Sequence, residues 1–256
     1  MKRDMRLIAG LTVVGLAVLF AACGSDEEAQ PNASPTAQPS PAVELCGRAQ
    51  PPTAEANLFP NGGFEEGHDP WFALKPPDFA VSDSVAHSGK ASALLRMRDP
   101  VEATGVSIRY LVQEVAPKEM PEVVSGYYRS DNWLSGTPIQ YLQFVAIVVG
   151  AANRPPSFPN HQIRYLLAGI DQEPFQIDNA KFVFLSKDDP EQGKWIHFQR
   201  DLRKDFKDLW GDVPKDFTCI RFLFEVRYDS KVSGDGPAQA DAYYDDLYLG
   251  PAPPPE

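Results

Sequence analysis

Carboxylates are the side chains of this 256-residue chain best able to do chemistry, and several places set them side by side, among them Asp188-Asp189 and Asp245-Asp246. Paired carboxylates hydrolyse glycosidic bonds only when held across a cleft at a defined separation, which adjacency in sequence does not supply. The histidines His68, His87, His161 and His197 are scattered. No serine sits in a Gly-x-Ser-x-Gly elbow, and no His-x-x-x-His or Cys-x-x-Cys spacing offers a metal cage. Glycine-rich phosphate loops are absent too. The chain therefore reads as a non-enzyme, and its chemistry as recognition by aromatic and polar side chains.

Those side chains must be positioned by strands. Apolar alternation and aromatic or β-branched runs recur, broken by Pro, Gly and Asp. This predicts strands over 79–82, 91–97, 107–114, 123–129, 139–149, 162–170, 180–185, 194–201, 218–228 and 242–249. No βαβ rhythm and no internal repeat appear, so two packed antiparallel sheets with jelly-roll connections are expected, an all-β sandwich. One short helix is predicted over 201–210, with apolar residues at i, i+4, i+7 and i+8, Asp201 as N-cap and Gly211 as its stop. Its Trp210 reads as a packing anchor over the end of the sandwich.

Side chains two apart share a strand face. Ile220, Phe222, Phe224, Val226 and Tyr228 fall together, with Cys219, Arg221, Leu223, Glu225 and Arg227 opposite. Ile196, Phe198 and Leu202 read as buried against Trp195, His197 and Gln199; likewise Leu142 and Phe144 against Tyr141 and Gln143, and Ile163 and Tyr165 against Gln162 and Arg164. Several strands thus offer a polar-aromatic second face. It is either a solvated surface with cross-strand ion pairs or a binding face, on which aromatic floors and convergent polar groups suit sugars.

The N-terminus reads as an address. Lys2, Arg3 and Arg6 precede an apolar run from Leu7 to Phe20, the size of a signal-peptide core. Ala21-Ala22-Cys23-Gly24 looks like a bacterial lipobox, with Phe20 where leucine is usual. Residues 1–22 are expected to be removed, and Cys23 to carry acyl chains that hold the protein on a membrane. Gly24, rather than Asp, fits the outer membrane if the cell has one, so the expected location is the cell envelope, outside the cytoplasmic membrane. Residues 23–45, rich in Pro, Ala and Ser, form a tether unable to bury a core. A domain over 46–250 and a proline-rich tail over 251–256 complete the chain. Loss of residues 1–22 removes three bases and one acid and takes the formal charge from −11 to −13. So acidic a domain is a poor partner for nucleic acid or anionic lipid. Cys46 and Cys219 remain; in an exported protein they are expected to form a disulfide, the alternative being two separate thiols.

Three stretches carry a resemblance: Asn61-Gly62-Gly63-Phe64-Glu65-Glu66-Gly67 with the later Trp71; His87-Ser88-Gly89-Lys90-Ala91-Ser92; and Tyr243-Tyr244-Asp245-Asp246-Leu247-Tyr248-Leu249. Together they resemble the opening strand, a turn and the closing strand of carbohydrate-binding modules of the CBM4/9/22 (CenC-like) type, galactose-binding-like jelly rolls, over roughly Asn57 to Leu249. The resemblance implies a structural calcium ion joining the chain ends, held by Glu65, the carbonyl of Lys90 and Asp245, with Asp246 pointing the other way. It also implies a glycan ligand. The residues proposed to contact it are Tyr128, Trp133, Tyr141, Gln143, Arg164, Trp195, His197, Arg221 and Glu225. Trp71 matches a tryptophan that is more often core.

The expected function is a membrane-anchored, monomeric, non-catalytic module that recognises a glycan or glycosylated partner. The alternatives are a scaffolding envelope lipoprotein that binds a protein, and a glycan-active enzyme.

Overall fold

The computed structural model describes residues 45–49, 51 and 57–252. The signal segment, Cys23, most of the tether and residues 253–256 lie outside the described residues. Among the described residues, no helix is long and apolar enough to cross a membrane.

The elements are β1 Ala80–Ser82, β2 Ser92–Asp99, β3 Gly105–Val115, β4 Val123–Leu134, β5 Gln140–Val149, β6 Asn160–Ala168, β7 Ala180–Phe184, β8 Ile196–Asp201, α1 Leu202–Trp210, β9 Cys219–Lys231 and β10 Ala238–Gly250. Two five-stranded sheets have the orders β1-β2-β10-β4-β8 and β3-β9-β5-β6-β7. Every strand pairing is antiparallel except β6 with β7. The fold is the expected β-sandwich of jelly-roll type.

Strand alternation builds the core directly. Ile220, Phe222, Phe224, Val226 and Tyr228 of β9 are buried with Leu142, Phe144, Ala146 and Val148 of β5 and with Ala240, Ala242 and Tyr244 of β10. Phe144 stacks on Tyr165 at 4.4 Å between ring centroids and lies 5.0 Å from Phe198 of the other sheet. Each such ring contributes about 1.5–3 kcal/mol by leaving water.

The opening stretch pairs with the last strand, which closes the sandwich. Leu58 N–H donates to the Leu249 carbonyl at 2.7 Å, and Leu247 N–H to the Gly62 carbonyl at 3.0 Å. The Asn57 amide serves both directions, donating to the Leu247 carbonyl and accepting from Leu249 N–H. Gly62 is required here, because a Cβ would stand 2.1 Å from the Leu247 carbonyl oxygen. Trp71 is buried in the core and donates its indole N–H to the Asn61 carbonyl.

Asp201 caps α1 by accepting from Lys204 N–H, and Gly211, in the left-handed region, ends it. Leu202 and Phe206 enter the core, while Trp210 packs over the sandwich end, edge-on to His161 at 5.2 Å. Cys46 and Cys219 are bridged, which fastens the chain before the first strand to the start of β9.

Two residues expected to contact a ligand face inward instead. Tyr128 and Trp133 of β4 are buried in the core cluster. The Tyr128 hydroxyl donates to the Leu167 carbonyl at 3.3 Å, and the Trp133 indole N–H to Asp189 at 3.2 Å. Tyr128 shares the inward face with Val124, two register positions away on each side of Gly126, and Asn132 at φ 51° breaks the alternation just before Trp133.

Candidate functional site

The single polar-aromatic face expected from the strands is in fact two faces. Tyr141, Gln143, Arg164, Arg221 and Glu225 lie on the outer side of the β3-β9-β5-β6-β7 sheet. Trp195 and His197 belong to the other sheet, where β8 pairs with β4 and sets His197 opposite Tyr127. Alternation tells which residues share a face of their own strand, not which sheet that strand joins.

The outer side of the β9 sheet is divided along β9. At one end Glu114 binds Arg221, with Nε at 2.7 Å, and both side chains are buried. Glu114 also accepts the backbone N–H groups of Cys46 and Arg48 at 3.1 and 2.8 Å. Arg221 is thereby engaged in strapping the disulfide segment to the sheet, a structural task. In the middle, Phe72 pairs its backbone with Val112 and packs on Val112, Val145 and Leu223. Arg48 lies over the Phe72 ring at 4.5 Å.

The other end is polar and incompletely satisfied. Gln143 donates to Glu225, Tyr141 donates to Asp229 at 2.5 Å, and Arg227 pairs with Asp229 at 2.5 Å. Phe175, half-buried on the 171–178 loop, lies 5.0 Å from the Arg164 guanidinium and 5.5 Å from that of Arg227. Four buried atoms here have no hydrogen-bond partner: Gln143 Oε1, Arg164 Nε and Nη1, and Arg227 Nε; a fifth on this face, Gln162 Oε1, lies toward the Arg221 end, where Gln162 and Arg221 both pair with Ile147. Burial pushes the Arg164 pKa down, with Glu225 acting against it. Burial also opposes the Arg227 charge, but Glu225, Tyr141 and Asp229 outweigh it and raise that pKa. Phe175 and Asp229 complete this cluster. Asp229 lies just past the expected end of its strand, and Phe175 sits in a loop with no periodic signal.

The chain ends converge at a second cluster. Glu65 Oε1 accepts the N–H groups of Lys90 and Ala91 at 2.8 and 3.0 Å. Asp245 Oδ2 accepts those of His87 and Ser88 at 2.7 and 3.3 Å. Asp246 does not point away. A register shift in β10 between Asp245 and Tyr248, with Asp246 at φ 50°, turns its carboxylate onto His87 Nδ1 and Ser88 Oγ, both at 2.6 Å. Burial raises Asp245 to about 6, countered in part by the amides it accepts. Among the described residues, no three His, Cys, Asp or Glu side chains form a metal cage. Beside Gly63 an added Cβ would be in ordinary van der Waals contact with Asp245 Oδ1 at 3.8 Å and Asp246 Oδ1 at 3.9 Å.

The fold is similar to that of solved carbohydrate-binding modules. TmCBM61, solved with beta-1,4-galactotriose, is 13% identical with a TM-score of 0.42, over 76% of this chain and 98% of that one. The C-terminal family 22 module of Clostridium thermocellum Xyn10B is 13% identical with a TM-score of 0.43, over 78% and 96%. The CBM22-1 xylan-binding domain of Paenibacillus barcinonensis Xyn10C is 16% identical with a TM-score of 0.38, over 75% and 94%. These are likenesses of strand arrangement at low identity. No protein-family model matches the sequence, and no curated protein matches it.

The adjacent acids have these partners. Asp189 accepts the Trp133 indole N–H, Asp188 accepts Gly169 N–H through its carbonyl, and Asp245 and Asp246 both serve the 87–88 turn.

Proposed function

We propose that this chain is a non-catalytic, envelope-tethered module that holds a glycan on the outer face of the β9 sheet, at Phe175. One observation carries the reading: the unpaired N–H groups of Arg164 and Arg227 lie around Glu225 together with the unpaired oxygen of Gln143. Buried polar atoms without partners are rare and costly in folded proteins. A sugar hydroxyl both donates and accepts, so a pyranose rim would satisfy both kinds of atom, while Phe175 offers an apolar surface for its C–H face. Access requires the 171–178 loop to shift Phe175 from between the two guanidinium groups.

The test is titration of the purified domain with soluble xylan, β-1,4-galactan and β-glucan, followed by calorimetry. Arg164→Met and Phe175→Ala are expected to weaken the polysaccharide that binds by tenfold or more, with unchanged circular dichroism. Equal affinity in both variants overturns the assignment of this face.

Two further features belong to the proposal. Glu65, Asp245 and the Lys90 carbonyl would hold calcium, which would pin the chain ends together. Millimolar calcium at micromolar affinity would add about 4 kcal/mol to folding. A chelator should then lower Tm by several degrees in wild type but not in Asp245→Ala, and coincident wild-type melts overturn the ion. Cys23 would carry the anchor; labelling with a fatty-acid analogue should mark wild type and not Cys23→Ser.

A further inference from the structure

Across the sandwich, the outer side of the β4-β8 edge carries an uninterrupted aromatic strip. Tyr243 and Trp195 lie 6.4 Å apart between ring centroids, Trp195 and His87 5.7 Å, His87 and Tyr127 3.6 Å, and Tyr127 and His197 4.9 Å. His87 and Tyr127 are stacked, and Asp246 fixes the His87 ring through Nδ1. Trp195 and Tyr127 are half-exposed, His87 and His197 are exposed, and Tyr243 is buried beneath the end of the strip. None of these rings is taken up by the core clusters. Of the exposed large aliphatic side chains, Val101, Val106, Ile177 and Val232 lie outside these strands, and Leu134 stands at the far end of β4, seven residues beyond Tyr127, so the rings themselves are flanked by hydrogen-bonding groups. A protein interface of any strength wants a desolvated apolar centre. A sugar, with a C–H face and a hydroxyl rim, matches rings flanked by polar groups.

We infer that Trp195, Tyr127 and His197 form a second sugar-contact surface, on the sheet opposite the first, so that one domain bridges two polysaccharide chains. The inference rests on the proposed function for the class of ligand, not for the site. Two faces pointing apart cannot grip one short oligosaccharide together, but they can cross-link a polymer and gain avidity on it.

The experiment uses wild type, Trp195→Ala, Trp195→Phe and Phe175→Ala with soluble xylan, β-1,4-galactan and β-glucan, reading affinity by calorimetry and cross-linking by turbidity. Wild type is expected to bind and to cloud the polymer. Trp195→Ala should bind about tenfold more weakly and leave the solution clear, and Trp195→Phe should restore both. Loss in Trp195→Ala with no change in Phe175→Ala would still support the strip, and would overturn the other face alone. Trp195→Ala that binds and clouds like wild type overturns the strip and leaves the first face standing. Wild type that binds none of the three polymers overturns both.

Discussion

The two outer faces of the sandwich are built on opposite plans. On the β9 sheet the polar groups are buried under straps: Cys46–Arg48 held by Glu114, Phe72 on Val112, and Phe175 between Arg164 and Arg227. On the β4-β8 edge Trp195, Tyr127, His87 and His197 reach water, with Asp246 and the Arg129–Asp131 pair beside them. Exposure is inexpensive for rings with polar tips, so the open face needs nothing to hold it. Buried polar groups are a different matter, because each donor or acceptor without a partner weakens the fold. A covered face that keeps five such atoms unpaired is organised for something besides stability, whereas the open face can carry function with no structural cost at all.

The most damaging way to break the comparison is to release a strap. Replacing Cys46 and Cys219 together by serine should cost about 2–5 kcal/mol, measured by urea unfolding with and without reductant. The loss should fall on the covered face, as faster hydrogen exchange at position 46, at Arg48 and at their partners on β3. Exchange at Tyr127 and His197 should stay as in wild type. Uniform acceleration over both sheets would mean that the faces are not independent.

A second intervention separates a structural liability from a binding group. His161 of β6 is fully buried against Phe206 and Trp210, with neither ring nitrogen paired, and burial pushes its pKa down to about 4. Below the unfolded value of 6.5, the unfolded chain takes up a proton that the folded chain refuses. Stability should therefore fall as pH drops from about 6.5 to 4, by about 3 kcal/mol in all, and hold level below that. His161→Phe should remove this acid step while leaving polysaccharide binding intact. An unchanged step in the variant would move the titration to another group.

Much of this molecule was legible in the sequence. All ten strands, the capped helix and the disulfide follow from alternation, capping residues and cysteine number. The inward set of β9 and the outward placing of Tyr141, Gln143 and Arg164 follow from period two alone. Three things did not follow. Trp195 and His197 were grouped with Tyr141 because sheet membership is decided by long-range pairing, here β8 on β4. Tyr128 and Trp133, expected to contact a ligand, pack inward, because the bulge at Asn132 and the crossing to Asp189 are fixed only in three dimensions. Phe175 was missed altogether, because a loop side chain has no periodicity and its importance comes from the guanidinium groups it lies between.

Arg164 sharpens the contrast further. A charge buried without an ion pair contributes little to folding, and an apolar side chain of similar length commonly does better. Arg164→Met should therefore leave the stability of the sugar-free domain unchanged or raise it by about 1 kcal/mol, even as polysaccharide affinity falls. Urea unfolding beside calorimetry reads both quantities. A loss above about 2 kcal/mol would place Arg164 among residues that hold the fold, since damage of that size signals a structural mechanism.

The smallest expected effect belongs to the open face. Trp195 is half-exposed, touches His87 and Tyr243 only edge-on, and lies just outside the first residue of β8, so no ladder hydrogen bond depends on its side chain. Trp195→Ala should shift unfolding free energy by no more than about 0.5 kcal/mol, the range for surface substitutions away from caps and cores. The contrast with its binding effect is the point of the measurement. A residue retained for packing loses stability and affinity together, through the fold. A residue retained for recognition loses affinity alone, and a large tryptophan kept half in water with little to stabilise is expected to behave that way. If Trp195→Ala instead unfolds at markedly lower urea, the strip is part of the scaffold, and the contrast between a covered working face and an open one collapses into a single structural sheet.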